Sequence, residues 1–314
     1  WCKRRNFPMN EPNKKQAMLP QGCTIINNPI GSAVGFTQVL NDCLIYTTPG
    51  VPSELKPMLI DEILPHLRQH KTIESTTDIS HFGVFGLGES TIQEMVNQHF
   101  PDWPANIELG YRAAMPNIDI KLTTHEQHGH DINGEWQQKL IKLLGAHVIG
   151  LGKITMAQSL VNALASENKK VTFAESCTGG LMASQLTSVS GSSAVFEAGF
   201  VTYSNTIKTS VLDVEKEVLI EHGAVSEPVV KQMLLGALAK SDADYGVAVS
   251  GIAGPNGGSD EKPVGLVWLA WGDNKHMHTA ALFIPLGRQY FQQYVAAIGL
   301  DLIKRHTLSI EQAP

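Results

Sequence analysis

The sequence predicts an α/β protein whose C-terminal part, residues 153–314, is a sheet covered by helices. Two observations predict this class. From about residue 153, strand-like and helix-like segments alternate along the chain. Upstream, residues 69–152 mix amphipathic helices with an alternating strand and predict a small α+β module. Residues 1–68 are rich in turns and predict part of an α/β domain. A length of 314 residues agrees with more than one domain.

The first two regions carry short but distinct patterns. "DCLIYT" (42–47) predicts a strand, and "SELKPMLIDEILPHL" predicts a helix with Ser53 as its N-cap. Apolar spacing predicts helices at 91–100 and 132–145, whereas "NIDIKLTT" (117–124) alternates as a strand does. The three histidines of "HEQHGHD" (125–131) raise the alternative of a metal site. We favour a solvated loop and assign no metal, because no fourth ligand is evident.

In the C-terminal region each element follows from its own residues. Helices are predicted at "ITMAQSLVNALASEN", "GGLMASQLTSV", "NTIKTSVL", "SEPVVKQMLLGALAKS" and "RQYFQQYVAAIGLDLIKRH", and strands at "KKVTFAE", "EAGFVTYS", "DYGVAVSG" and "VGLVWLAW". Ser226 is predicted to cap the fourth of these helices, with Pro228 in its first turn.

Composition narrows the classes of partner. Lys and Arg total 24 against 30 Asp and Glu, and a net charge of −6 argues against broad nucleic-acid binding. The four cysteines form no C-x-x-C pair, which favours reduced thiols and a cytoplasmic location. No apolar run is long enough to cross a bilayer. The chain opens on Trp1, which we interpret as a missing N-terminal part.

Three turns that follow predicted strands carry the candidate chemistry: "ESCTGG" (175–180), "YSN" (203–205) and "SGIAGPNGG" (250–258). In an α/β sheet the usable crevice lies beyond the carboxyl ends of the strands. The first turn offers three possible nucleophiles, Ser176, Cys177 and Thr178, and it opens a helix. We therefore expect the amides of that helix N-terminus to hold an anion, either a phosphate or a developing oxyanion.

A hydroxyl nucleophile needs a base, and Lys208 lies one helical turn beyond "YSN". It could reach Ser176 and would act as a base if burial kept it neutral, with Tyr203 orienting or relaying the proton. Other interpretations stay open on spacing alone. Ser176 could cap a helix, Lys208 could be a solvated surface residue, and Tyr203 could be a core residue.

Five motifs in order, "AESCTGG", "GFVTYSNTIK", "GAVSEPVV", "SGIAGPNGGS" and "KPVG", resemble the C-terminal domain of the CinA (competence-induced) family. The resemblance covers about 160–310, and that domain is similar to the PncC-type nicotinamide-nucleotide amidases. "NKKQAMLPQG", "NPIGSAVGF" and "PGVPSEL" resemble the later half of the family's molybdopterin-binding-like domain. Residues 69–152 would be its KH-like module, although "GLGES" is only a poor match to a G-x-x-G loop, so RNA binding is not assigned.

The resemblance implies hydrolysis of nicotinamide mononucleotide to nicotinate mononucleotide and ammonia, in pyridine-nucleotide salvage. It implies Ser176 as nucleophile, Lys208 as base and Tyr203 as an assisting hydroxyl. Amides of the following turn would stabilise the oxyanion, and Cys177 would be an inert packed neighbour. The implied substrate-binding residues are Glu175, Thr178, Gly179, Gly180, Ser250, Gly251, Ala253, Gly254 and Arg288, the last of which suits a 5′-phosphate.

The family resemblance also implies a homodimer and an amidase that needs no metal or other cofactor. Two other functions stay open. Relatives with a complete N-terminal domain hydrolyse ADP-ribose with a divalent metal, but the early "GGLGPT" motif of that domain is absent from this sequence. The third possibility is a competence-related interaction protein without enzymatic activity.

Overall fold

A computed structural model describes residues 2–70, 77–125 and 129–310. The chain divides into two compact units, Trp1–Thr76 and Thr77–Pro314. Helices and sheets occur together in both units, and the predicted α/β class is confirmed. The domain boundaries at 68/69 and 152/153 stay predictions. Within the described ranges, no helix combines the length and apolar character that a membrane crossing requires.

The first unit is built on a three-stranded antiparallel sheet in the order β1-β2-β3. The strands are β1 (Thr24–Ile26), β2 (Gly35–Leu40) and β3 (Cys43–Thr47). The helices are α1 (Cys2–Arg5), α2 (Glu11–Gln16), α3 (Pro52–Met58) and α4 (Leu64–His70), and a π-helical turn at Leu59–Ile63 joins the last two.

The prediction that Ser53 caps the helix of this unit is wrong. Helix α3 begins at Pro52, and the capping position belongs to Val51, which has no side-chain cap. Proline has the φ angle of a first helical residue already set, and it forces the residue before it into an extended conformation. The start of the helix is therefore determined by Pro52, and Ser53 lies inside it.

The second unit contains two sheets. Its first sheet is antiparallel, in the order β5-β6-β4-β7, with β4 (Asp78–Val84), β5 (Ile107–Ala114), β6 (Asn117–Thr124) and β7 (Val148–Leu151). Helices α5 (Glu89–His99) and α6 (Gly129–Leu144) pack on it through a core that includes Phe82, Ile92 and Leu140. A 3₁₀ turn at Gly145–His147 leads into β7. The histidine-rich segment predicted as a loop lies partly outside the described residues, at 126–128.

The second sheet has the order β12-β11-β10-β8-β9. Strands β8 (Val171–Glu175), β9 (Phe196–Val201) and β10 (Tyr245–Gly251) are parallel, whereas β11 (Leu266–Gly272) and β12 (Met277–Phe283) are antiparallel. Strand β8 is buried along its whole length and lies between its two parallel neighbours. Parallel sheets are covered on both faces, which explains why Thr172 and Glu175 are buried in this strand together with its apolar residues.

Helices cover both faces of this sheet. One face packs against α7 (Met156–Ser166), α8 (Leu181–Thr187) and α12 (Arg288–Thr307) through a core that contains Phe173 and Val247. The other face packs against α9 (Asn205–Leu212), α10 (Lys216–His222) and α11 (Glu227–Ser241), through Ala174 and Ala248. A short 3₁₀ turn at Ser192–Ala194 precedes β9. Successive strand residues point to opposite faces, so large and small side chains sort between the two layers.

Candidate active site

The site lies where the three parallel strands of the second sheet end. Ser176 directly follows β8, Thr202 follows β9, and Ser250 lies next to the end of β10. Strand β8 pairs in parallel with both neighbours, so the three carboxyl ends meet at one edge. Polar groups at such an edge face the crevice where α/β proteins bind ligands.

The structure brings Ser176 and Lys208 together, although they lie 32 positions apart in the chain. The distance between Ser176 Oγ and Lys208 Nζ is 3.0 Å. Lys208 is on the first turns of α9, where the Ser204 hydroxyl accepts a hydrogen bond from the amide of Ile207 and caps the helix. Only 8% of Ser176 and 1% of Lys208 is exposed. The interpretations of Ser176 as a helix cap and of Lys208 as a solvated residue therefore do not fit.

Burial lowers the pKa of Lys208 from 10.5 to about 8. No carboxylate of the described residues lies within ion-pair distance to oppose that shift. The amine instead donates to the carbonyl of Thr202 at 2.7 Å and to that of Tyr203 at 3.5 Å. A neutral amine has two N–H donors and one lone pair. In the structure Nζ donates to the Ser176 hydroxyl as well as to the two carbonyls; in the neutral amine the lone pair would accept from that hydroxyl instead.

The N-terminus of α8 differs from its prediction as an open anion site. The Glu175 carboxylate accepts from the amides of Gly180 (3.1 Å), Met182 (3.1 Å) and Ala183 (2.9 Å), and Glu175 is fully buried. A negative group at this end of a helix satisfies its free N–H groups and its dipole. Glu175 and Gly180, predicted to bind substrate, are therefore engaged with each other and not with the pocket.

The turn after Ser176 needs glycine at two positions. Gly179 and Gly180 have φ angles of +66° and +96°, in the region that favours glycine. A Cβ at Gly180 would lie 3.1 Å from Val201 Cγ2. These two glycines thus shape the turn, which is a role different from the substrate contact predicted for them.

The backbone amides of Cys177 and Thr178 lie close to the Cys177 sulfur, whose pKa they lower. Within the described ranges, no oxygen accepts a hydrogen bond from the N–H of Cys177 or Thr178. The carbonyl of Cys177 accepts from Gln292 Nε2 at 2.8 Å, which holds the peptide between the two residues in place. Gln292 lies on α12 and was not predicted from the sequence. The Thr178 hydroxyl oxygen is buried without a partner in this part of the structure.

The Cys177 thiol is a poor nucleophile in this position. It is 4% exposed, and burial raises its pKa to about 12. The neighbouring Glu175 raises the pKa further. Nearby amides and Lys208 lower it, but by less than burial raises it. The thiol therefore stays protonated at neutral pH, and Ser176 is the better placed nucleophile.

The mouth of the pocket is formed by Tyr203 and Arg288. Arg288 donates through Nη2 to the Tyr203 hydroxyl and through Nη1 to the Gly254 carbonyl, each at 3.0 Å. The prediction that Tyr203 assists the proton transfer does not match this placement, because its hydroxyl pairs with Arg288 and its side chain is 60% exposed. Thr202 is fully buried, and the next residue turns outward.

A loop before α11 closes another side of the pocket through Ala224 and Val225. The Ser250 hydroxyl donates to the Ala224 carbonyl at 2.7 Å. Lys262 Nζ donates to the carbonyls of His222 at 2.5 Å and Val225 at 2.9 Å. Ala224 and Val225 lie in "GAVSEPVV", but their apolar side chains gave no chemical reason to select them from the sequence. Ser226 is the N-cap residue of α11, with Pro228 in the first turn, as predicted, but its hydroxyl donates to the Gly223 carbonyl and accepts from no helix amide.

Together these groups enclose a cavity of about 170 Å³. Among its lining residues, seven were predicted: Ser176, Lys208, Tyr203, Ser250, Gly251, Ala253 and Arg288. Glu175, Thr178, Gly179, Gly180 and Gly254 do not line it. Gly254 instead offers the carbonyl that orients Arg288. The arrangement combines the Ser176 hydroxyl, the Lys208 amine with its lowered pKa, two backbone amides that have no oxygen acceptor among the described residues, and the guanidinium of Arg288 at the mouth. This set can perform nucleophilic acyl transfer on a small substrate that carries an anionic group.

Comparison with known proteins gives consistent results. Residues 153–307 match the family model described as CinA C-terminal domain. A CinA-like protein of Colwellia psychrerythraea is 50% identical over 317 residues, covering 100% of this chain and 73% of that protein. One from Shewanella denitrificans is 38% identical, covering 98% and 72%. Among solved structures, the competence/damage inducible protein CihA from Agrobacterium tumefaciens is 42% identical over 47% of this chain and 91% of its own, with a TM-score of 0.46.

Proposed function

This chain belongs to the CinA family, and we propose that its candidate active site hydrolyses the carboxamide of nicotinamide mononucleotide. The products are nicotinate mononucleotide and ammonia, as in pyridine-nucleotide salvage. The observation that supports this most is the 3.0 Å contact between Ser176 and a buried amine that has no carboxylate partner among the described residues. Buried amines with a lowered pKa serve as bases for serine nucleophiles.

In the proposed first step, the Ser176 hydroxyl donates its proton to neutral Lys208 while Oγ bonds to the carboxamide carbon. The carbonyl oxygen becomes an oxyanion, which accepts hydrogen bonds from the amides of Cys177 and Thr178. The Thr202 carbonyl stabilises the new ammonium at 2.7 Å. Lys208 then returns the proton to the amide nitrogen, the C–N bond breaks, and ammonia leaves an ester on Ser176.

In the proposed second step, water attacks the ester carbon and Lys208 accepts the water proton. The same amides hold the second oxyanion. As the C–O bond to Ser176 breaks, Lys208 returns the proton to Oγ. The net change is one amide and one water consumed, with one acid and one ammonia formed. Every proton passes through Lys208, so the proposed cycle uses no metal or other cofactor. A divalent metal would belong only to a complete N-terminal domain.

The size and charge of the pocket favour a nucleotide bound by its base end. A cavity of about 170 Å³ is smaller than the sites that enclose whole ligands of this size. The carboxamide end would enter, and the 5′-phosphate would stay at the mouth beside Arg288. Arg288 donates two of its five N–H groups within the protein, so three are available to a phosphate. We further propose that the protein acts in the cytoplasm as a homodimer.

The test is incubation of the chain with nicotinamide mononucleotide and measurement of both ammonia and nicotinate mononucleotide. Replacing Ser176 by alanine should lower kcat by on the order of 10³-fold or more, because the nucleophile is lost. The matched control is Ser184→Ala, which changes an exposed serine of α8 outside the pocket and should keep wild-type rates. Wild-type turnover by the Ser176→Ala variant would refute the proposal.

A further inference from the structure

A second cavity of about 300 Å³ lies at the opposite end of α12 from Arg288. Its walls come from the end of β12, from α12 between Tyr294 and Arg305, and from the segments around Phe85 and His147. Much of the lining is apolar, and includes Leu282, Phe283, Tyr294 and Ile298. The rings of Phe85 and Tyr294 lie 5.5 Å apart and form an aromatic wall. A volume of this size accommodates a small organic molecule.

The cavity also contains a guanidinium that is only partly used. Arg305, which is 4% exposed, donates through Nε to Asp301 Oδ2 at 2.7 Å. Neither Nη atom of Arg305 has an acceptor within the described part of the chain, although the residue lines the cavity. The two Nη atoms are not among the buried side-chain atoms of the described residues that lack a partner, so they open onto the cavity, where an anion can reach them.

Local charges do not satisfy that guanidinium. The other Asp301 oxygen, Oδ1, faces Lys304 Nζ at 3.5 Å, and Lys304 also donates to the Val148 carbonyl at 3.2 Å. The carboxylate of Asp301 is thus shared between two cationic side chains, and all three residues are at least 95% buried. An anion in the cavity would pair with the Nη atoms of Arg305 that Asp301 leaves unused.

We propose that this cavity binds a small organic monocarboxylate with an aromatic or compact apolar body. The carboxylate would accept hydrogen bonds from the two Nη atoms of Arg305 in the fork geometry that guanidinium and carboxylate share. The body would pack against the wall formed by Phe283, Tyr294 and Ile298. Arg305 lies 17 positions after Arg288 on α12, about 25 Å along the helix axis. The binding site is therefore separate from the candidate active site.

The experiment is calorimetric titration of the full chain with benzoate, with benzamide as a neutral molecule of the same shape. We expect benzoate to bind with a Kd below about 1 mM and benzamide at least about tenfold more weakly. Arg305→Lys keeps the charge beside Asp301 but loses the fork, and should weaken benzoate about tenfold. Phe283→Ala removes a ring that is 60% exposed, so it should leave the fold intact and also weaken binding.

Lys208→Met changes the candidate active site and not the second cavity, so this variant should bind benzoate as the wild type does. Three results would overturn the inference. These are no saturable binding of benzoate up to about 10 mM, equal binding of benzamide, and loss of binding in Lys208→Met with retention in both Arg305→Lys and Phe283→Ala. Circular dichroism of each variant shows whether a loss of binding comes from unfolding. None of these outcomes depends on whether nicotinamide mononucleotide is hydrolysed.

Discussion

Replacing Lys208 by methionine removes a buried amine that makes the stability of the wild type rise with pH. In the folded chain the pKa of Lys208 is about 8, against 10.5 when the amine is exposed. Between these two values the unfolded chain still binds a proton that the folded chain has released. The free energy of unfolding of the wild type therefore rises with pH in this window, and the proton contributes nothing to the slope once pH exceeds both values.

The magnitude follows from the two pKa values. Linkage over the interval from about pH 7 to about pH 9.5 gives the wild type about 2 kcal/mol of stability that a non-titrating methionine cannot gain. Methionine has a similar length but leaves the Thr202 carbonyl without its donor, which costs about 1–3 kcal/mol at every pH. The difference in free energy of unfolding between the two proteins therefore combines two effects. Its change with pH depends only on the Lys208 amine.

Urea denaturation of both proteins at several pH values in that interval measures this change. The same amine should control catalysis, so wild-type kcat/KM should rise about tenfold per pH unit below 8 and level off above about 9. Lys208→Met should lose activity at every pH. A stability difference that changes by less than about 0.5 kcal/mol across this interval, or activity that is flat from acid to alkaline pH, would refute the assignment of Lys208 as the titrating base.

Three further outcomes test other parts of the site. Glu175→Gln should lower the free energy of unfolding, measured in urea, by about 2 kcal/mol, because the N-terminus of α8 loses a negative charge and one hydrogen-bond acceptor. The control Glu197→Gln, which breaks an exposed ion pair, should change it by less than about 1 kcal/mol. Equal effects of the two substitutions would contradict the contacts assigned to Glu175. Arg288→Ala should raise KM for nicotinamide mononucleotide about tenfold or more without changing kcat/KM for nicotinamide riboside, which lacks the phosphate; an equal loss on both substrates would be against a phosphate contact. Iodoacetamide at about pH 8 should alkylate exposed Cys43 and leave Cys177 unmodified by mass spectrometry; ready labelling of Cys177 in the native chain would contradict its burial.

The general architecture could be predicted because it follows from local patterns. Strand β8, with the apolar residues Val171, Phe173 and Ala174, precedes a turn and a helix, and such repeats along a chain predict a covered parallel sheet. The approach of Ser176 to Lys208 could also be anticipated, since residues after parallel strands collect at one edge. Neither inference needed knowledge of side-chain orientation.

The orientations of several side chains could not be predicted from the sequence. The Glu175 carboxylate could face the crevice or the amides of α8, and only the path of the turn selects the second. Tyr203 and Thr202 exchange inward and outward positions if β9 ends one residue earlier or later. Ala224 and Val225 have no reactive groups and could be recognised only by their contacts. Asp301 and Arg305 are four positions apart, a spacing that is also common for ion pairs on exposed helices. The sequence therefore gives no sign that this pair is buried.

The absence of a carboxylate beside Lys208, within the described residues, has a consequence for how the protein responds to heat. The pKa of the amine stays near 8 only while α9 and the strand ends keep water away from it. A local opening of this eight-residue helix would hydrate the amine and return it to an ammonium ion, without disturbing the sheet. The proton-accepting capacity of the site is therefore a property of its dryness, and it disappears as soon as the surrounding structure loosens.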